Sequence, residues 1–259
     1  MKIKPGAIFL CAFFPLLAQA DEITIDADEK VEWHREQQKI VAIGNAVAVQ
    51  NGSTANGQVL TAFYETVQLE DGRQQNQISR LMSDSGVKLS MSGTVATGEH
   101  FDYDMQKGKA VLTGTPAKLV NKKGELTAEK SITYYPNENR AVALGNVIAR
   151  NPDYTIYADK MISFFDDGKD GKKSLRRIEI YAEEKPVKIV NAQATVTGKK
   201  GIYFPLENKL KIYENVVITQ NNDILKGDYA ETDIATGISR LLSAGKGKRV
   251  SGVFHNKKK

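Results

Sequence analysis

One nine-residue phrase returns five times along this chain and constrains its fold more than any single residue does. It reads aliphatic, spacer, small, polar, two spacers, apolar, spacer, aromatic. The copies begin at Ile25, Val95, Leu126, Ile156 and Val196 and end on Trp33, Tyr103, Tyr134, Phe164 and Phe204. Their starts lie 70, 31, 30 and 40 residues apart, so the underlying unit is about 30–40 residues. A repeat of that size means stacked units, each burying its face against the next. Such a chain is not organised around one catalytic centre.

The apolar segments between the phrases are short and alternating. IVAIGNAVAV at 40–49, AVALGNVIA at 141–149 and LKIYENVVIT at 210–219 are rich in Val, Ile and aromatics. That pattern predicts strands with one buried face, and no stretch after residue 20 carries a helical stripe with caps. The fold class is all-β. A second phrase interleaves with the first: Gly44-Asn45, Gly114-Thr-Pro116, Gly145-Asn146, Glu184-Lys-Pro186 and Glu214-Asn215. Gly or Asn between two alternating runs supplies the bulge where a long strand bends. The polar tracts at 70–77 and 166–174 read as hairpin loops at one rim.

Residues 1–20 read as a signal peptide: Lys2 and Lys4, an apolar run from Ala7 to Leu17, then Ala18-Gln19-Ala20 as a small-x-small cleavage site. The apolar run is shorter than the roughly 20 residues a spanning helix needs. The one cysteine, Cys11, falls inside this segment, so no disulfide framework holds the exported chain together. Removing Lys2 and Lys4 leaves 34 basic residues against 31 acidic, a net charge of +3. That excess is too weak to point to nucleic acid. The domain expectation is therefore a leader at 1–20, one β domain at 21–248 and a basic tail at 249–259.

Nothing in the sequence singles out catalysis. His34, His100 and His255 have no partner at metal-ligand spacing, and Asp166 to Gly171 resembles a calcium loop but has Arg177 where the bidentate Glu belongs. There is no nucleophile elbow, and the pairs Glu183-Glu184 and Asp166-Asp167 point to opposite faces in a strand. No metal or cofactor is expected. What remains is the apolar content of the repeat. The pairs Val31/Trp33, Phe101/Tyr103, Ile132/Tyr134, Ile162/Phe164 and Ile202/Phe204 each stand two apart, and two residues apart in a strand share a face. Stacking would align the ten side chains into one stripe. Pattern alone leaves it open whether that stripe is a sealed sandwich core or a trough for acyl chains.

At Ala128-Glu-Lys-Ser-Ile132-Thr-Tyr134, Leu144-Gly-Asn-Val147 and Ala158-Asp-Lys-Met-Ile162-Ser-Phe164 the chain resembles the OstA/LptA family of periplasmic lipopolysaccharide-transport proteins. The resemblance covers roughly residues 23 to 245. It implies an elongated, bent two-sheet β-jelly-roll that shields lipid A acyl chains in the periplasm. It also implies end-to-end joining, by strand addition at exposed sheet edges, with itself and with the inner- and outer-membrane transport components. The lipid-facing positions map onto the ten residues just named. The rival expectations are an exported β-solenoid enzyme acting on polysaccharide and an envelope adaptor that binds no lipid.

Overall fold

The computed structural model describes residues 23–167, 173–233, 239–243, 245 and 249–254. The leader with Lys2, Lys4 and Cys11, the centre of the 166–174 loop, His255 and the lysines of the extreme tail lie outside the described residues. Among the described residues, twenty-two strands join in one antiparallel network, with two single-turn 3-10 helices at Pro136–Glu138 and Pro205–Glu207.

That network folds into two layers. The short strands Lys30–His34, His100–Asp104, Ser131–Tyr135 and Lys200–Phe204 lie in the first layer, and Val87–Met91, Thr94–Gly98, Gly124–Ala128 and Ala194–Gly198 lie in the second. Six long strands belong to both: Lys39–Gln50, Ser53–Gln68, Arg140–Arg150, Tyr154–Asp167, Lys209–Gln220 and Asp223–Asp233. Strand Tyr154–Asp167, for example, pairs through residues 154–157 with the second layer and through residues 160–167 with the first. The expected bent two-sheet jelly-roll is the observed architecture.

Three of these strands turn the corner at bulges, between Ile43 and Ala46, Leu144 and Val147, and Tyr213 and Val216. The bulge residues have positive φ: Gly44 at 86° and Asn45 at 40°, Gly145 at 82° and Asn146 at 41°, Glu214 at 62° and Asn215 at 55°. Glycine adopts that region without steric cost and asparagine tolerates it, so the Gly-Asn signal works as expected. Gly114-Thr-Pro116 and Glu184-Lys-Pro186 instead fall in breaks between consecutive strands.

Inside the corner the side chains are small. Gly57, Val87 and Gly98 stand on one line, as do Ala128 and Val147, with Val187, Gly198 and Val216 further along. Space forces this choice. A Cβ on Gly98 would meet the Thr113 carbonyl oxygen at 2.6 Å, and one on Gly198 would meet Cγ2 of Ile212 at 2.5 Å. Away from the corner the residues grow. In the second layer Ala55, Leu89, Ala96, Leu119 and Leu126 oppose one another strand after strand, followed by Ala149, Ile156 and Ile189. All of these are buried in one continuous core.

Candidate functional site

The first layer carries the inner rows on which the expected stripe can be checked. Cross-strand partners in an antiparallel pair share a face, so register settles which way each side chain points. Phe101 opposes Leu112, which opposes Ile132, then Ala143, Met161, Ile180, Gly201 and Ile212. The adjoining row passes from Trp33 to Ile40 and Ala62, then Leu81, Tyr103, Ala110 and Tyr134, and on through Ala141, Ser163 and Ile178 to Tyr203. Val31 opposes the fully buried Ala42 and joins the inner face at its N-terminal end. Six of the ten expected residues therefore lie on the inner face: Phe101, Tyr103, Ile132 and Tyr134 buried, and Val31 and Trp33 exposed at its N-terminal end.

Ile162, Phe164, Ile202 and Phe204 do not. Met161, Ser163 and Phe165 face inward in their place, as do Gly201 and Tyr203. The cause is the length of the chain's own corner between layers. Three residues (Asp28 to Lys30) separate the small Ala27 from Val31, and three (Glu129 to Ser131) separate Ala128 from Ile132. Only two separate Ala158 from Met161 and Gly198 from Gly201. One residue fewer flips every side chain that follows to the other face. The Val95 copy escapes because its corner glycine is Gly98, one position later than the phrase would place it, and the two offsets cancel.

On the outer face the displaced Phe164 and Phe204, and Tyr135 with them, lie under cations. The Arg177 guanidinium is 3.9 Å from the Phe164 ring centre, Arg140 is 4.2 Å from that of Tyr135, and Lys211 is 5.6 Å from that of Phe204. Ile162 stands between Val142 and Glu179, and Ile202 between Glu179 and Lys211. The interior aromatics of this half, Phe165 and Tyr203, fall outside the phrase's apolar positions: Phe165 lies one residue past its end and Tyr203 in its last spacer. The signal for Tyr203 was Gly201, which leaves room for Ile180 and Ile212 across the strands.

The interior is closed along its middle and looser at its ends. Tyr134 is fully buried and Ile132 nearly so, and burial pushes the Tyr134 phenol up to about 12 and raises that of Tyr103. The second-layer row loosens past Ile189, where Val196, Ile218 and Leu225 are only half-buried. At the N-terminal mouth Val31 and Trp33 are 49 % and 55 % exposed. Trp33 is fixed there by its indole N–H donating to the Tyr64 hydroxyl at 2.7 Å, with the Arg35 guanidinium 4.7 Å from its ring centre.

His34 and His100 stand against Glu32 and Asp84 at the surface, at 3.1 and 3.5 Å. No group of three His, Cys, Asp or Glu able to hold a metal occurs among the described residues. No helix among them is long and apolar enough to cross a membrane.

This geometry defines a class: an antiparallel double layer folded along one spine, with an aliphatic interior, and with edge strands at both ends that pair on one side only among the described residues. Comparison with known proteins shows what the chain is similar to. Residues 130–238 match the model of the LptA/(LptD N-terminal domain) LPS transport protein family. Among solved structures it is similar to the crystal structure of LptH, the LptA homologous periplasmic component of the conserved lipopolysaccharide transport device from Pseudomonas aeruginosa. Identity to that protein is 15 %, with 51 % of this chain and 94 % of that one covered and a TM-score of 0.43. A search of curated proteins found no match.

Proposed function

We propose that the protein is a periplasmic lipopolysaccharide carrier and bridge element. Acyl chains of the lipid would lie against the inner rows, and no bond is made or broken. The observation that carries this reading is the unbroken aliphatic row of the second layer. It runs from Ile25 at one end to Leu225 at the other and faces Trp33, Tyr103 and Tyr134 of the first. Transfer of apolar surface out of water is favourable at about 25 cal/mol per Å², so an acyl chain that reaches this row gains by staying there. Entry is expected at the loose ends, where Val196, Ile218 and Trp33 are accessible. The closed centre around Ile132 requires the layers to part. The edge strands Thr24–Asp26 and Lys30–His34 at one end, and Ser239–Leu242 and Ser251–Val253 at the other, offer free backbone groups to transport partners or to a second copy.

The test is site-specific photo-crosslinking in envelope preparations that make lipopolysaccharide. Crosslinkers at Phe101, Ile132 and Ile218 are expected to capture the glycolipid, whereas one at Ile162, on the opposite face of the same fold, is not. Capture at Ile162 equal to that at Ile132 would refute the assignment of the interior.

A further inference from the structure

The third bend departs from the other two. At the first bend the aliphatic stem of Glu29 lies over Gly44, and at the second that of Lys130 lies over Gly145; a Cβ on either glycine would sit 2.5 Å from the covering Cγ. The asparagine beside each is tied to an acid of the same corner, Asn45 to Asp28 at 2.7 Å and Asn146 to Glu129 at 2.6 Å. The third corner is one residue shorter and carries Glu214 where the others carry glycine. No stem covers it. A hollow of about 630 Å³ opens on the outer face instead, lined by Lys200, Ile202, Tyr213, Glu214, Asn215, Asp228 and Tyr229. The price is a non-glycine residue held at a φ of 62°, and strain of that kind persists where the surroundings require it.

The hollow ends a row. On the outer face Lys160 opposes Tyr181, then come Lys200, Tyr213 and Tyr229 on successive strands, a span of roughly 19 Å at about 4.8 Å per strand. The Tyr181 hydroxyl donates to Glu179 and that of Tyr229 to Glu231 at 2.8 Å. Each bond pins its ring along its own strand. Tyr213 and Tyr229 lie with ring centres 5.0 Å apart, and the ammonium groups of Lys160 and Lys200 stand 5.9 and 5.0 Å from the centre of Tyr181. Three acids here are matched, Glu179 by Arg177 at 2.7 Å, Glu214 by Lys199 at 3.8 Å and Glu231 by Lys211 at 3.7 Å, and Asp228 also lines the hollow. Lys160 and Lys200 form no salt bridge among the described residues.

We infer that this outer row is a binding site for an acidic saccharide, with its deepest subsite in the hollow at the third bend. A sugar ring has a C–H face and a rim of hydroxyls. A pinned tyrosine presents an apolar body with its polar tip already engaged, which suits the C–H face. Asn215 in the lining of the hollow suits the hydroxyls, and the ammonium groups of Lys160 and Lys200 suit carboxylate or phosphate substituents. The site stands on the face opposite the acyl-binding interior and does not depend on it. The saccharide has two sources, a lipid-free polysaccharide or the headgroup of a glycolipid.

The test uses the full chain in two arms: an array of lipid-free acidic and neutral oligosaccharides, and lipopolysaccharide in detergent micelles. Retention of acidic saccharides in the first arm assigns a free sugar chain. Retention confined to the second arm, and weakened by the Tyr181→Ala, Lys200→Gln double variant, assigns the headgroup. In either case the double variant is expected to weaken binding at least tenfold with an unchanged melting temperature, and Tyr181→Phe, which keeps the ring, to restore it when combined with Lys200. Absence of acidic ligands from both arms, equal retention of neutral sugars, or binding indifferent to the double variant overturns the inference. Glycolipid capture at Ile132 that survives the double variant separates failure here from failure of the carrier assignment.

Discussion

Replacing Gly98 by alanine tests whether the spine of the fold is as crowded as its small residues imply. The new methyl group would stand 2.6 Å from the Thr113 carbonyl oxygen and 2.6 Å from Cδ1 of Leu112. A leucine tip can rotate away, but a carbonyl can move only with its strand. Restoring even a 3.0 Å contact needs about 0.4 Å of separation. The same carbonyl accepts the Glu99 N–H at 2.8 Å, so the movement stretches that bond past its preferred length. Overpacking costs about 1–3 kcal/mol and a weakened backbone hydrogen bond adds about 1 kcal/mol, giving an expected loss of roughly 2–4 kcal/mol. Urea unfolding followed by far-ultraviolet circular dichroism reads this directly. Gly93→Ala is the control: its φ is 80° with nothing nearby, so it carries only the left-handed backbone penalty of roughly 1–2 kcal/mol. A Gly98→Ala loss no larger than that of Gly93→Ala would refute the crowding argument.

Two further outcomes follow from the same geometry. Burial holds the Tyr134 phenol at about 12 in the folded chain against an ordinary 10, so its contribution is complete below pH 10, is lost between pH 10 and 12 as the unfolded chain ionises first, and does not change further above that. Tyr134→Phe should shrink the alkaline loss in this window by about 2–3 kcal/mol, read from urea midpoints at pH 9.5 and 12; equal losses in both proteins would count against it. Glu214→Gly should raise stability by about 1 kcal/mol by removing a side chain from a positive-φ position, read as a higher urea midpoint, and a lower midpoint would show that Glu214 is not strained.

Much of the architecture is legible in the sequence. Alternation marked the strands, and Gly44-Asn45, Gly145-Asn146 and Glu214-Asn215 marked the three places where a long strand crosses between layers, because few residues tolerate positive φ. The interior was half legible. The phrase pairs an apolar residue with an aromatic two positions later, and that spacing guarantees a shared face within one strand. It does not say which face, because the strand is entered through a polar corner. Asp159-Lys160 and Lys199-Lys200 read no differently from the three-residue corners Asp28-Glu29-Lys30 and Glu129-Lys130-Ser131, yet odd and even corners deliver opposite faces. Closure of the centre was not legible either, since it depends on how nearly the two layers approach. The third bend was read as one more copy of Gly-Asn-Val. Its glutamate was the visible sign that something other than folding occupied that position.

The six long strands that belong to both layers give the molecule the mechanics of a bound book. Neither leaf can be peeled off or slide past the other without breaking a strand in two, so the remaining freedom is the angle at the binding. A change of that angle at one end must bend the long strands there, each of which is paired to its neighbours in both layers. The leaves can therefore part only by opening at the binding, at the Val196 end or at the Trp33 end.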